Sequence, residues 1–246
     1  MKKVSLILTT YNCKSNLEIT LRSIECQDYP EVEVIIKDGN STDGTLDLIK
    51  EYQQKSKYPV LWKSESDKGI YDAMNQGYAL CSGDIIVCFN DVFTDENVIS
   101  KMIQLIEKNP TCVGAHADLV YKDGEKVIRR WHMGNGSIYH GWMPGHPTLF
   151  MKREIYEKYG LYHTDFRIAA DYEFMIRFLK DKENYLVYLD EPIVSMFYGG
   201  TSSGGLKSYL ESFAEGYKAL KRNDFSSIGA VWITIMRTIR VICQFG

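Results

Sequence analysis

Long hydrophobic runs are scarce in this sequence. The apolar run within MKKVSLILTTYN is too short for the hydrophobic region of a signal peptide followed by a cleavage site, so we interpret it as a first buried strand. The apolar stretch in residues 226–246 contains two arginines, which argues against a membrane-spanning helix. Neither stretch therefore predicts a signal peptide or a membrane span.

Paired cysteine spacing and an excess of charge of one sign are also missing. The cysteines show no CxxC spacing, which indicates free thiols in a reducing cytoplasm. They are Cys13, Cys26, Cys81, Cys88, Cys112 and Cys243. With 29 Lys and Arg against 32 Asp and Glu, the net charge is −3, so the chain has no general attraction for nucleic-acid phosphates and no nucleic-acid partner is expected. An anionic ligand must be held by local groups.

The composition is otherwise that of an ordinary globular protein. Of the 246 residues, 45% are hydrophobic and 25% are charged, which allows one large α/β domain with or without a C-terminal appendage. No internal repeat, low-complexity tract or linker divides the chain. We therefore expect one main domain followed by a helical tail.

The first 110 or so residues alternate between buried strands and amphipathic helices. The predicted strands are 4–9, 32–38, 60–66 and 84–90, and the predicted helices are 15–27, 45–55, 69–81 and 96–109. We expect N-caps at Ser15 or Asn16, at Ser41 or Thr42, and at Thr94. The alternation predicts a mainly parallel, doubly wound sheet flanked by helices.

Polar segments follow all four predicted strands. They are Thr10-Tyr11-Asn12, Asp38-Gly39-Asn40-Ser41, Glu65-Ser66-Asp67 and Asn90-Asp91. Ligands of parallel α/β sheets bind beyond the carboxyl ends of the strands, so we expect these segments to converge along one edge. The sequence thus predicts a ligand site at that edge.

From about residue 113 the pattern changes. Residues 112–131 predict a β-hairpin turning at Asp123-Gly124, residues 144–160 a strand and a short helix, residues 171–181 a helix, and residues 185–198 a pair of strands. We expect these elements to complete the same domain.

Six motifs in order resemble those of family 2 glycosyltransferases, most of all bacterial members that build surface polysaccharides. They are LTTYN, DGNSTDGT, SDKGIYDAMNQG, GDII, HPTLF and AADYEFMIRF. The resemblance covers roughly residues 1–205 and implies an inverting enzyme with the GT-A fold, whose nucleotide-binding sheet is Rossmann-like. It implies a nucleotide-sugar-binding half, 1–110, an acceptor-binding half, 111–205, and a C-terminal amphipathic helical tail, 206–246. Such an enzyme would move a hexose or N-acetylhexosamine from a UDP-linked donor to a saccharide.

The resemblance assigns the nucleotide to the ends of the first three strands. Thr10-Tyr11-Asn12 is expected to line the nucleotide, although it also suits a plain strand exit. Asp38 matches the aspartate that accepts a hydrogen bond from the base, usually uracil, and its alternative is a turn residue bonded to its own backbone. Asp67-Lys68-Gly69 matches an element that contacts the uridine or ribose.

The fourth strand end is the expected metal site. The family pattern is Asn-Ser-Asp-Asp, whose last aspartate binds Mg²⁺ or Mn²⁺ on the diphosphate, whereas this chain reads FNDVFTD. A two-residue deletion places Asp91 in that last position, next to Asn90 on the nucleotide side. Because Mg²⁺ often takes only one or two protein carboxylates, Asp91 is the expected ligand. The alternative is the polar end of a strand in a metal-independent or impaired enzyme.

The AADYEF motif supplies the expected catalytic base. By the resemblance, Asp171 takes the proton of the acceptor hydroxyl while sugar C1 is attacked from the face opposite the leaving group. Its alternative is a carboxylate held by the dipole of its own helix, and Glu173 is expected to point elsewhere. His146 occupies the family's histidine position between the two halves, where it would approach the acceptor or a phosphate, or serve in packing.

Residues 226–246 predict a basic amphipathic helix. One face carries Ile228, Val231, Trp232, Ile235, Met236, Ile239 and Ile242, and the other carries Arg237, Arg240 and Gln244. Such a helix suits a membrane interface, and a membrane interface suits a polyprenyl-diphosphate-linked saccharide acceptor. The alternatives are that the helix docks on its own domain or on a second subunit of a homo-oligomer. We expect a cytoplasmic enzyme, peripheral at the inner face of the cell membrane.

Residues 199–205 are a candidate loop over the diphosphate, or a plain flexible loop.

The sequence favours one rival function and argues against another. The shortened acidic motif suggests a catalytically weak or inactive relative that only binds a nucleotide sugar. A nucleotidyltransferase on a similar sheet would need a Gly-rich, basic phosphate loop after the first strand, and TTYNCKSN has neither a glycine nor a basic cluster.

Overall fold

The computed structural model describes residues 1–124, 126–197 and 205–243. Its strands are β1 (Val4–Thr10), β2 (Val32–Asp38), β3 (Val60–Ser64), β4 (Ile85–Cys88), β5 (Val92–Phe93), β6 (Gly114–Asp123), β7 (Lys126–Trp131), β8 (Phe150–Lys152) and β9 (Leu186–Phe197). Its α-helices are α1 (Lys14–Glu25), α2 (Thr45–Lys55), α3 (Ile70–Tyr78), α4 (Val98–Lys108), α5 (Arg153–Tyr159), α6 (Ala170–Leu179), α7 (Gly205–Arg222) and α8 (Ser227–Cys243). The candidate loop 199–205 lies outside the described residues except for Gly205, the first residue of α7.

A nine-stranded sheet runs through the protein in the order β3-β2-β1-β4-β8-β6-β9-β5, with β7 paired to β6. Strands β1 to β4 are parallel, which confirms the predicted sheet, and their register sets Thr10 opposite Asp38 and Asp38 opposite Ser64. Strands β1, β2 and β4 are buried almost throughout because helices cover both of their faces, whereas the edge strand β3 is half exposed. The register brings the polar strand ends to one edge.

The second half of the chain makes the sheet mixed. Strand β8 runs antiparallel to both β4 and β6, and β6 and β7 form the predicted hairpin, with Gly124 in the left-handed region at φ +56°. The predicted pair of strands in residues 185–198 is wrong. Residues 186–197 form the single long strand β9, which stays paired with β6 because two shifts of register next to Asp118 absorb the irregularity.

Three of the predicted helix N-caps are also wrong. The N-caps of α1, α2 and α4 are Cys13, Gly44 and Asn97. The Ser41 hydroxyl instead donates to Asp38, and the Thr94 hydroxyl donates to the carbonyl of Pro192. Thr94 is not a cap because the two residues before it form β5, which pairs with β9 and delays the start of α4. Gly44 suits its position because its φ of +91° is strained for other residues.

Apolar side chains fill both faces of the sheet. One cluster lies under α1, α2 and α4 and includes Leu6, and the other lies under α3, α5 and α6 and includes Ile7. These adjacent residues belong to different clusters because successive side chains of a strand point to opposite faces. With both faces covered, the carboxyl edge of β1 to β4 remains open for a ligand.

The C-terminal helices α7 and α8 form a hairpin that packs on the second cluster. Ala230 and Ile233 of α8 are buried against it, and the Arg237 guanidinium lies 4.1 Å from the ring centre of Tyr172. The face predicted to be apolar is not the docked face, since Ile228 and Trp232 are 86% and 55% exposed. In the described part of the chain, no helix has the length and apolar character needed to cross a bilayer.

Candidate active site

The Asp38 carboxylate is fully buried where β2 ends. Its Oδ1 accepts hydrogen bonds from the hydroxyls of Thr10 (2.9 Å) and Ser41 (2.5 Å), and its Oδ2 from the Ser41 N–H (2.9 Å) and the Ser64 hydroxyl (2.7 Å). Burial alone would raise the pKa of Asp38, but these donors outweigh it and lower the pKa, so the group is ionised. A base can bond directly to the Asp38 carboxylate only if one of these donors moves away. The role of Asp38 in contacting the base stays a prediction.

Lys37 lies beneath this edge, and its burial was not predicted from the sequence. Lys37 is fully buried, and its Nζ donates to the carbonyls of Asp38 (2.9 Å) and Glu65 (2.6 Å) and lies 3.9 Å from Oδ2 of Asp67. The ammonium thus ties the end of β2 to the loop after β3. A lysine is almost never fully buried without partners. The single lysine within the apolar strand VEVIIKD was therefore a signal that polar partners surround it.

Hydrogen bonds join the loops after β1 and β2. The Asn12 N–H donates to the Ser41 hydroxyl at 2.8 Å, and the Asn12 Oδ1 accepts from the Thr42 N–H at 2.8 Å. Asn12 has a φ of +46°, while Tyr11 is 67% exposed beside it. An exposed aromatic ring at a rigid strand end offers a surface on which a base can stack.

The segment Asp67-Lys68-Gly69 forms the turn into α3. Asp67 Oδ1 accepts from the Gly69 N–H at 2.9 Å, and Asp72 Oδ2 accepts from the Lys68 N–H at 2.9 Å. Gly69 has a φ of +118°, which explains the glycine. The Lys68 side chain is exposed and forms no ion pair with the residues that the structure describes.

The Asn90 side chain locks the end of β4 to β1. Its Oδ1 accepts from the Thr9 N–H at 2.9 Å, and its Nδ2 donates to the Thr9 hydroxyl at 2.8 Å. Asp91, the next residue, is partly exposed, yet its surroundings desolvate the carboxyl and raise its pKa to about 7. Among residues 1–124, 126–197 and 205–243, none forms a hydrogen bond or an ion pair with it. A carboxylate without a counter-charge in such surroundings fits a divalent cation.

A second group of possible metal ligands lies on the other half of the sheet. Ligand atoms of Asp118, His132 and Asp190 lie within 4.8 Å of one another. Asp118 is fully buried, however, and Oδ2 already accepts from Arg130 Nη2 at 3.0 Å, while Oδ1 accepts from the Tyr188 hydroxyl at 2.6 Å. The guanidinium supplies the counter-charge, so we interpret this group as an ion-pair cluster.

Asp171 lies in the first turn of α6. Its Oδ1 accepts from the Tyr71 hydroxyl at 3.0 Å and from the Tyr172 N–H at 2.8 Å. Both hydrogen bonds fall on one oxygen, and Oδ2 accepts no hydrogen bond from the residues described. Burial and the nearby carboxylate raise the pKa of Tyr71, so its hydroxyl remains a donor. A carboxylate held at one oxygen and available at the other has the form of a general base.

The Nε2 of His146 shares a 2.9 Å hydrogen bond with the Tyr162 hydroxyl, and the approach of His146 to the acceptor or a phosphate stays a prediction. Burial lowers its pKa more than the charge of Asp171 raises it, so the imidazole is neutral near pH 7. Glu173 points away from the site, as expected. It is buried and contacts His163, Arg177 and Asn223.

Helix α7 holds the loop that precedes Asp171, the candidate catalytic base. The Glu215 carboxylate accepts hydrogen bonds from the backbone N–H groups of Arg167, Ile168 and Ala169 at 2.8, 2.9 and 2.9 Å. Glu215 also lines a cleft of about 220 Å³ together with residues 68–72 and 164–167. Sequence reasoning missed this residue because nothing local distinguishes it from other glutamates on a helix.

Glu215→Ala is expected to lower kcat by about tenfold or more, because the three freed N–H groups let the start of α6 shift and misplace Asp171. The affinity for the nucleotide should stay unchanged. The matched control is Glu211→Ala on the same helix, which forms an ion pair with the exposed Arg167 side chain at 3.7 Å. Steady-state kinetics that separate kcat from KM, with the melting temperature of each variant, measure the difference. Equal effects of the two variants would remove this role from Glu215.

The fold and site together define a class of enzyme. A parallel half-sheet with polar residues at its carboxyl edge, joined to a mixed half that presents Asp171, is the GT-A arrangement of a glycosyltransferase. The chain matches the family described as "Glycosyl transferase family 2" over residues 5–177, and it belongs to that family. The predicted family, fold class and enzyme class are confirmed.

Known relatives agree with this assignment. The chain is 28% identical over 226 residues to the dolichyl N-acetyl-α-D-glucosaminyl phosphate 3-β-D-2,3-diacetamido-2,3-dideoxy-β-D-glucuronosyltransferase of Methanococcus voltae, covering 82% of this chain and 68% of that protein. Its fold matches S. aureus TarS 1–349 in complex with UDP-GlcNAc, with a TM-score of 0.73 and 18% identity over 98% of this chain and 73% of that one. It also matches mannosyltransferase PcManGT from Pyrobaculum calidifontis in complex with GDP-Man and Mn²⁺, with a TM-score of 0.70 and 18% identity over 99% and 71% of the two chains.

Proposed function

We propose that this enzyme transfers a hexose or N-acetylhexosamine, with inversion, from a UDP-linked donor to a hydroxyl of a lipid-linked saccharide. The observation that carries the proposal is Asp171, fixed at one carboxylate oxygen by Tyr71, which itself lines a cleft together with residues 164–167. The GT-A relative in complex with UDP-GlcNAc supports a UDP sugar as donor. The archaeal relative, named for a dolichyl-linked substrate, supports a polyprenyl-linked acceptor.

The proposed step needs a single catalytic carboxylate. The acceptor oxygen forms a bond to sugar C1 as its proton passes to Asp171, and the bond from C1 to the diphosphate oxygen breaks with its electron pair leaving on the nucleoside diphosphate. Attack from the face opposite the leaving group inverts C1, and no covalent sugar–enzyme intermediate forms. Tyr71 holds the carboxylate in place throughout, since its hydroxyl remains protonated.

A divalent cation fits the site at Asp91. The desolvated carboxyl lacks a counter-charge among the described residues, and Asn90 fixes the adjacent backbone to β1. When bound there, a Mg²⁺ or Mn²⁺ ion would neutralise the departing diphosphate. A single protein ligand predicts a loosely held ion that completes its coordination with water and phosphate oxygens.

The biological setting follows from the acceptor. A lipid-linked saccharide places the enzyme at the cytoplasmic face of the cell membrane, in the assembly of a surface polysaccharide such as an O-antigen or capsule. The rival function is a relative that binds a nucleotide sugar without turnover, and the observation that favours it is the single carboxylate where the family pattern has two.

Calorimetric titration of UDP and of GDP tests the donor assignment. We expect the wild type to prefer UDP and Asp38→Asn to bind UDP about tenfold more weakly, because the amide replaces an acceptor of four hydrogen bonds by a group with one acceptor oxygen. Asp47→Asn, an exposed position on α2, is the control. A preference for GDP, or unchanged UDP affinity in Asp38→Asn, would contradict the assignment of UDP or of Asp38 respectively.

A further inference from the structure

Helix α3 is fixed closely on the parallel half of the sheet. It packs on β1 and β2, and a Cβ atom added at Gly77 would lie 2.6 Å from Cγ2 of Ile7. A larger residue would push the helix or Ile7 out of place, so the glycine permits this close approach. The turn Asp67-Lys68-Gly69 leads directly into α3. Helix α3 is therefore a rigid part of the half that is expected to bind the nucleotide.

Asn75 joins α3 to the second half of the chain. Its Oδ1 accepts a hydrogen bond from the Tyr162 N–H at 3.0 Å, and its Nδ2 donates to the Tyr162 carbonyl at 2.8 Å. One amide side chain thus bonds both backbone groups of Tyr162, as a neighbouring strand would do. Tyr162 lies in the loop 160–169 between α5 and α6. Asn75 is therefore a clamp between α3 and that loop.

Tyr162 connects this clamp to α6. Its buried ring packs against Phe174 of α6 and against Tyr71 of α3, with ring centres 5.2 and 5.7 Å apart. Its hydroxyl shares hydrogen bonds with Nε2 of His146 at 2.9 Å and with the Tyr156 hydroxyl at 3.1 Å. Tyr162 is thus held at its backbone, its ring and its hydroxyl, and a shift of its backbone would disturb the packing on α6.

Two side chains of α3, one helical turn apart, contact the elements around the candidate base. Tyr71 donates to Asp171 itself, and Asn75, four residues later on the same face, holds Tyr162. We propose that Asn75 is a positioning residue for the transfer, which sets Asp171 of α6 against the half that binds the nucleotide. It acts through Tyr162 and takes no part in the chemistry. This role rests on the proposed function.

Steady-state kinetics of Asn75→Ala test the role. The variant should lower kcat by about tenfold or more and keep the UDP affinity within about twofold, because a small displacement of the base slows the reaction without changing the nucleotide contacts. The matched control is Gln76→Ala, which should retain kcat, because the Gln76 amide donates to Asp72 of the same helix at 2.9 Å. Asn75→Asp keeps the acceptor for the Tyr162 N–H but cannot donate to the carbonyl. It should also lower kcat, and it decides the test if Asn75→Ala fails to fold.

A double-mutant cycle with Tyr71→Phe separates positioning from a general loss of stability. If Asn75 and Tyr71 both fix Asp171, the loss of either contact already releases the carboxylate. The double variant should then lose less kcat than the product of the two single losses, whereas independent effects multiply. Losses that multiply, or equal kcat values for both Asn75 variants and Gln76→Ala, would overturn the inference.

Hydrogen exchange of the substrate-free proteins gives a readout that does not depend on transfer. Asn75→Ala should speed the exchange of the backbone amides of residues 160–169, and Gln76→Ala should not. If the wild type transfers no sugar, the proposed function fails, and the exchange alone decides whether Asn75 fixes the loop before Asp171. Unchanged exchange in Asn75→Ala would overturn the inference in either case.

Discussion

Replacement of Asp171 by asparagine is expected to lower kcat for sugar transfer by about 10²- to 10⁴-fold and to leave the affinity for UDP unchanged. Asparagine keeps the size of the side chain, and its carbonyl oxygen still accepts hydrogen bonds from Tyr71 and from the Tyr172 N–H. It cannot take a proton from the acceptor hydroxyl. The effect should therefore appear in turnover and not in donor binding.

Transfer assays and calorimetry on the same preparations separate these two effects. Asp165→Asn is the matched control, because Asp165 lines the same cleft as Tyr71, the partner of Asp171, but pairs with Lys218 and Arg222 on the protein surface. It should retain turnover within a few-fold of the wild type. Normal turnover by Asp171→Asn would show that another group is the base.

The second large effect concerns the cation. In the wild type, Mn²⁺ should tighten UDP binding, and Asp91→Asn should remove most of that gain, by about 10- to 100-fold in affinity. The variant should also be at least as stable as the wild type without metal. Burial raises the pKa of Asp91 to about 7, so the folded protein binds more protons than the unfolded chain between about pH 4 and pH 7. Asp91 therefore lowers stability as the pH rises through that window.

Two measurements check this prediction. Calorimetry of UDP with Mn²⁺ and with a chelator gives the metal effect, and thermal melts of the metal-free proteins at pH 5 and pH 8 should show a larger gain from Asp91→Asn at pH 8. Asp95→Asn is the control, because Asp95 is a loop residue near α4 that contacts Lys101. UDP binding that ignores Mn²⁺ in the wild type would make Asp91 the polar end of a strand and would favour metal-independent transfer or the binding-only function.

The local sequence pattern was sufficient to predict the parallel half of the fold. Continuous apolar runs of strand length, separated by amphipathic helices, leave few ways to bury their surface other than a parallel sheet covered on both faces. The convergence of Thr10, Asp38 and Asn90 follows from that topology, because parallel strands end at one edge. The order of the six motifs was sufficient to predict the family to which the chain belongs.

Contacts between residues distant in the chain decided the features that the local pattern did not predict. Strand β5 exists because β9 pairs with it, and Thr94 consequently loses the capping role that its own neighbours suggest. Lys37 is buried because carbonyls from two separate loops surround its ammonium.

The sequence by itself therefore determined the parallel sheet, its polar edge and the family of this protein, since those depend on periodicity and on short motifs. Only the tertiary structure decided which face of α8 is buried, that Glu215 holds the loop before Asp171, and that Asp91 lies without a counter-charge among the described residues. The physical reason is that burial and hydrogen bonding depend on what surrounds a side chain in space, and those neighbours come from segments far apart in the sequence.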